Sequence, residues 1–199
     1  MPDSYKIRDQ SLPHFITATV IEWIDIFTRK TYRDSIIDCF NFCIQNKGMA
    51  LYGYVIMSNH VHIIMQAKDG NLSDLIRDFK KLTARNILQK IQTEPESRRE
   101  WMLERFHRAT ESHSRNKNYQ FWKYGNNPKE IYSNKFLWSK LHYIHLNPIR
   151  AGLVEKASHY IYSSAGDYVN KEGLVVIEQA DNPVVDVLNL KNLNMFHNY

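Results

Sequence analysis

Leu51-Tyr52-Gly53-Tyr54-Val55-Ile56-Met57-Ser58-Asn59-His60-Val61-His62-Ile63-Ile64-Met65-Gln66 is the stretch on which the fold turns. Two short apolar runs, Leu51 to Met57 and His60 to Gln66, flank the turn-forming pair Ser58-Asn59 and predict a β-hairpin. No other part of the chain carries so dense a strand signal.

Upstream of the hairpin, Leu12 to Ile24 is rich in Thr, Val, Ile and Phe and predicts a strand that begins just after Pro13. Between the two, Tyr32 to Asn46 places Ile36, Ile37, Phe40, Cys43 and Ile44 at helical spacing, with Lys47-Gly48 as a stop. Downstream, a helix is expected from about Ser73 to Ile91, with Leu72, Leu75, Ile76, Phe79 and Leu82 as its apolar stripe. Glu94 to Asn118 is highly charged, is interrupted by Pro95 and reads as a mobile or partly helical excursion. The aromatic run Tyr119 to Tyr124 is expected to form the last core strand. Ser133 is placed to cap a helix through Leu146, which should end there because Asn147 precedes Pro148. Leu174 to Ile177 offers a further edge strand. The order strand, helix, strand, strand, helix, strand, helix predicts an α+β fold: one domain with a ferredoxin-like antiparallel sheet covered by helices.

Length and composition agree with one globular domain, since 199 residues, 43% hydrophobic and 24% charged, suit neither a repeat array nor a disordered tail. A polar start from Met1 to Gln10 and no long apolar run predict a soluble, cytoplasmic protein without a membrane span. Cys39 and Cys43, four apart on a helix, read as buried reduced thiols. Of the 26 basic and 21 acidic residues, 16 and 7 fall between Arg77 and Arg150, so that stretch is +9 and the remainder −4. Such a concentration fits a surface that meets a polyanion, although a solvated basic middle would have the same composition.

His60-Val61-His62 lies within a predicted strand, so both imidazoles share a face, roughly 6 to 7 Å apart along the backbone. They could converge on one metal ion or be two half-buried histidines. Two metal-hydrolase classes are excluded. Ile63, Ile64 and Met65 follow where a His-x-His-x-Asp-His motif needs an acid and a third histidine, and a strand-helix barrel needs around 250 residues. A third ligand must come from elsewhere. On the helix after Ser133, Tyr143 and Asn147 are neighbours on one face, with Lys140 on the same stripe and Leu137, Leu141 and Ile144 on an adjacent apolar one. A core-packing Tyr143 and a capping Asn147 are the plainer alternatives. Tyrosine as a nucleophile needs help at neutral pH, where little phenolate exists, and a metal ion on the scissile phosphate would give it. His107, His113 and His145 have no partner spacing, and His145, two residues from Tyr143, points away from that face.

Tyr54-Val55-Ile56-Met57-Ser58-Asn59-His60-Val61-His62, followed far downstream by Tyr143-Ile144-His145-Leu146-Asn147-Pro148-Ile149-Arg150-Ala151-Gly152-Leu153-Val154, resembles the REP-associated tyrosine transposases and their insertion-sequence relatives. These belong to the single-tyrosine His-hydrophobe-His endonucleases. The resemblance runs from about Pro13 to Tyr168. It implies a catalytic domain over residues 1–168, with residues 169–199 as a C-terminal extension of unknown function. It further implies that His60 and His62 hold a divalent cation, that Asn147 completes the site, and that Tyr143 attacks single-stranded DNA to give a 5′-phosphotyrosine link and a free 3′-OH. Family members recognise hairpins or palindromic element ends and often act as dimers. Ligand preference favours Mn²⁺ for such a donor set and abundance favours Mg²⁺.

Other residues are candidates for DNA contact. Arg77, Lys81 and Arg85 recur every four residues on one helix, with Lys80 beside them, as a ladder for phosphates or as a solvated helix face. Trp122 lies with Tyr119, Phe121, Lys123 and Tyr124 in an aromatic and basic cluster of the kind on which unpaired bases stack, although most of these rings also suit the core, and Lys140 neighbours Tyr143. Two rival functions remain: a hairpin-binding regulator that does not cut, and a metal hydrolase that uses water and leaves no covalent link.

Overall fold

A computed structural model of the chain describes residues 7–111 and 118–180. Four strands, β1 (His14–Thr19), β2 (Met49–Ile56), β3 (His60–Ala67) and β4 (Lys129–Glu130), form one antiparallel sheet in the order β2-β3-β1-β4. The helices are α1 (Lys30–Asn46), α2 (Leu72–Thr93), α3 (Arg99–Glu111) and α4 (Asn134–Arg150). This strand order with all neighbours antiparallel is the ferredoxin-like arrangement, an α+β fold.

The two faces of the sheet carry two separate cores. Alternate residues of β1 and β3, including Ile16, Ala18, Val61, Ile63 and Met65, pack with Ile36, Phe40, Leu75, Ile76 and Phe79 of α1 and α2. The rings of Phe40 and Phe79 stack with centroids 4.9 Å apart. On the other face Phe15, Val55 and Ile64 meet Leu137, Leu141 and Ile144 of α4. α1 ends where Gly48 takes a left-handed φ of +63°, a conformation open to glycine at little cost. Cys39 and Cys43 are buried free thiols, and burial pushes them up to about 12 and about 11.

Three of the core elements differ from the sequence expectation. β1 stops at Thr19 instead of reaching Ile24, because Glu22 and Trp23 adopt left-handed φ values of 52° and 58° within a short 3-10 turn. The aromatic run Tyr119–Tyr124 is not a strand. Phe121 and Trp122 turn into the core, and the segment follows β1 through a single bridge, Val20 to Trp122, and through separate hydrogen bonds from Ile21 N to Phe121 O and from Lys123 N to Thr19 O. The fourth strand is instead the two-residue β4. Finally, α4 runs through Pro148 to Arg150, so Asn147 does not end it. The proline falls in the last turn, where few ladder bonds depend on its missing N–H, and Gly152 closes the helix at φ +70°.

The charged excursion contains α3, while residues 112–117, including His113, lie outside the described residues. Leu174–Ile177 forms no strand, although Glu178 N donates to Leu51 O, and Val175 and Ala180 are buried. The rest of the expected extension, 181–199, also lies outside the described residues. No described helix is long and apolar enough to cross a membrane.

Candidate active site between β3 and α4

The side chains of His60 and His62 project from β3 on the α4 face, as period-two alternation requires, and their ring centroids are 4.7 Å apart. The register sets Thr17 of β1 opposite His62, and the Thr17 hydroxyl lies 2.8 Å from His62 Nδ1. In the β2–β3 turn, Asn59 Oδ1 lies 2.7 Å from His60 Nδ1 and accepts its proton. Both rings are thus held through Nδ1. Burial pushes the His62 pKa down to about 3, with the neighbouring His60 adding to the effect, and burial also lowers that of His60. Neutral imidazoles are the form that binds metal.

α4 delivers the tyrosine. Ser133 caps the helix by accepting from Phe136 N, and Leu137, Leu141 and Ile144 anchor it to the sheet. Close approach depends on Gly53 of β2, where an added Cβ would lie 2.5 Å from Leu141 Cδ2 and 3.1 Å from Ile144 Cδ1. His145, buried on this helix, is 2.9 Å from Ser164 Oγ, which also accepts from Tyr54 N. It serves the joint between helix and sheet and stands apart from His60 and His62. Tyr143, 40% exposed, emerges beside His62 with ring centroids 5.4 Å apart at 67°. Phe15 fills the corner, stacked on His62 at 5.4 Å and edge-on to Tyr143 at 5.9 Å.

Two cations flank Tyr143. Lys140 Nζ is 5.9 Å from its ring, and 5.4 and 5.0 Å from those of Phe15 and Phe136, while Arg150 Cζ also lies 5.9 Å from the Tyr143 ring. Asn147 Nδ2 donates to Tyr143 O at 2.7 Å, so its amide is held through nitrogen. Among the described residues no group of three or more His, Cys, Asp or Glu could hold a metal.

The remaining candidates lie apart from this cluster. Arg77, Lys81 and Arg85 project from α2, which packs on the opposite face of the sheet, and Arg77 is paired with Asp74 and Asp78. Lys80 turns inward: Nζ donates to Lys123 O at 3.0 Å and Asn126 Oδ1 at 2.8 Å, and burial pushes its pKa down to about 8. Trp122 is 6% exposed, with its indole N–H donating to Lys80 O and Thr83 Oγ1, so it is a core residue and offers no surface for a base. A cavity of about 340 Å³ at the N-terminus of α4, lined by Pro13, Tyr52, Ile131 and Tyr132 among others, contains none of His60, His62 and Tyr143.

Thr17, Asn59, Phe15 and Arg150 escaped sequence reasoning. Beyond their places in the quoted motifs, Asn59 was visible only as a turn residue and Arg150 only as the end of the basic stretch. Thr17 and Phe15 become neighbours of His62 through register, which linear spacing does not reveal.

The model of the family described as "Transposase IS200 like" matches residues 11–162. No curated protein matches the chain. Among solved structures, a REP-associated tyrosine transposase bound to a REP hairpin is similar in fold, with a TM-score of 0.55 at 16% identity, over 92% of this chain and 94% of that one.

Proposed function

The chain belongs to the IS200-like transposase family, and on that premise we propose that it cuts and rejoins single-stranded DNA by transesterification at Tyr143. One observation carries the reading. The only partly covered Tyr143 ring stands 5.4 Å from His62, whose ring is 4.7 Å from a second neutral imidazole.

A divalent ion, Mg²⁺ or Mn²⁺, fits the donor set of His60 Nε2, His62 Nε2 and Asn147 Oδ1, and when bound it would polarise the scissile phosphate. Tyr143 Oη attacks phosphorus, the bond to the 3′ oxygen breaks, the phenol proton passes to solvent, and the leaving 3′ oxygen takes a proton from solvent to become a hydroxyl. The 5′ end remains as a phosphotyrosine, so the strand can be resealed onto another 3′-OH without ATP. Lys140 and Arg150 flank the phenol and offset the charge that builds on the phosphate. Phe15 and Thr17 hold His62 in place. Arg77, Lys81 and Arg85 serve as outlying phosphate contacts for a longer or folded strand. The hairpin carried by the similar structure supports a hairpin substrate for this chain as well.

Incubation with Mn²⁺ and a labelled single-stranded hairpin should give a protein–DNA adduct on a denaturing gel, lost in Tyr143→Phe and in His60→Ala. Tight hairpin binding with no adduct from the unmodified protein would overturn the cutting activity and leave a binding regulator. Cleavage that survives Tyr143→Phe would point to water as the nucleophile.

A further inference from the structure

The backbone at Glu22 and Trp23 is left-handed at two consecutive non-glycine residues, with φ 52° and 58°. An L side chain with a Cβ is disfavoured there, so the surroundings must hold the segment in place. They do so at three points. Asn59 Nδ2 donates to Trp23 O at 3.3 Å while Asn59 Oδ1 binds His60, so one amide ties Trp23 to a proposed metal ligand. Arg105 Nη1 lies 3.3 Å from Glu22 Oε2, and Trp23 N donates to Val20 O.

This framework presents an indole to solvent. Trp23 is 56% exposed, its ring is edge-on to His60 with centroids 6.3 Å apart, and Lys123 Nζ sits 4.2 Å from its centroid. Lys123 is itself fixed by the bond from its N–H to Thr19 O. A large apolar ring held in a strained, exposed position beside a cation has the makeup of a surface on which an unpaired base stacks while its phosphate meets the ammonium group.

Resting on the reading of Tyr143 as the nucleophile, we infer that Trp23 and Lys123 bind an unpaired base of the substrate strand next to the scissile phosphate, on the side of His60 away from Tyr143. The site is thereby specific for a strand that is unpaired at the cut, because a base inside a duplex cannot reach the indole.

The test measures binding without chemistry, in a Tyr143→Phe background, by anisotropy of a labelled hairpin with a single-stranded flank. Trp23→Asn, whose side chain suits a left-handed backbone, should weaken binding roughly 5- to 100-fold, while Trp23→Phe stays within about threefold of the parent. Abasic substitutions are then scanned through the flank. One position should weaken the parent about as much as Trp23→Asn does, and should cost Trp23→Asn nothing further. Parent-like binding by Trp23→Asn, or penalties that simply add, would overturn the inference even if the unmodified protein still forms its adduct. Failure of the parent to bind any single strand would overturn both this inference and the proposed function.

Discussion

Thr17 Oγ1 lies 2.8 Å from His62 Nδ1, joining two residues that the β1–β3 register sets directly opposite each other. A partner on the far nitrogen fixes ring orientation and tautomer, and losing such a partner commonly lowers metal affinity about 10- to 100-fold. Thr17→Val keeps the shape and removes the hydroxyl. Titration calorimetry with Mn²⁺ should show that loss in Thr17→Val and recovery in Thr17→Ser. Unchanged affinity in Thr17→Val would remove Thr17 from the site.

Gly53→Ala tests the seat of α4. A methyl group 2.5 Å from Leu141 Cδ2 forces Leu141 to repack or α4 to shift, an overpacking cost of about 1–3 kcal/mol. The helix carries Tyr143, so adduct formation should fall further than the loss of stability explains at temperatures where the variant is fully folded. Thermal melts beside single-turnover adduct assays would separate the two effects.

Glu96 links the loop before α3 to α1, with its carboxylate 2.7 Å from Arg29 Nη1 and 2.9 Å from Tyr32 Oη. Burial alone would raise its pKa, but these bonds and the one from Arg98 N outweigh burial and hold it below its ordinary value of 4.5. The unfolded chain therefore binds this proton more readily than the folded one. The stabilisation is complete above about 4.5 and is lost as the pH falls through the lower folded value. Glu96→Gln should cost about 1 kcal/mol near neutral pH, with the gap to the parent closing in acid. Urea melts across the range would detect it.

Salt dependence separates the basic residues of α2. Removing a lysine or arginine that contacts a phosphate lowers the slope of log affinity against log salt by about one. Arg85→Gln and Lys81→Gln should each do this on a long hairpin. Lys80→Met should leave the slope unchanged and lower stability instead, since its ammonium already serves Lys123 O and Asn126 Oδ1.

Much of the architecture was readable from periodicity. The hairpin, α1 and α2 bury whole faces, so Ile63 and Met65, or Leu75 and Phe79, recur at spacings the sequence displays. The shared face of His60 and His62 follows from the same alternation. The fourth strand was not readable, since Lys129–Glu130 is too short to leave a pattern, whereas the aromatic run before it is apolar for a different reason: Phe121 and Trp122 fill the core beneath α2 and α3. Trp122 could be read as a base platform or as a core ring because composition does not report direction. Trp23 went unremarked because left-handed backbone leaves no mark in a stretch of Ile, Glu and Trp.

The irregular chain beside β1 has a counterpart at the opposite border of the sheet. There Ile56 N donates to Tyr162 O, Ser164 N to Tyr54 O and Glu178 N to Leu51 O, while β4 on the first side is only two residues long. Among the described residues, the outer strands therefore offer a second copy little unpaired backbone to extend. A second copy meeting the described strands would find side chains more than open backbone, and these borders are shielded from the strand-to-strand aggregation that threatens open sheets at high concentration.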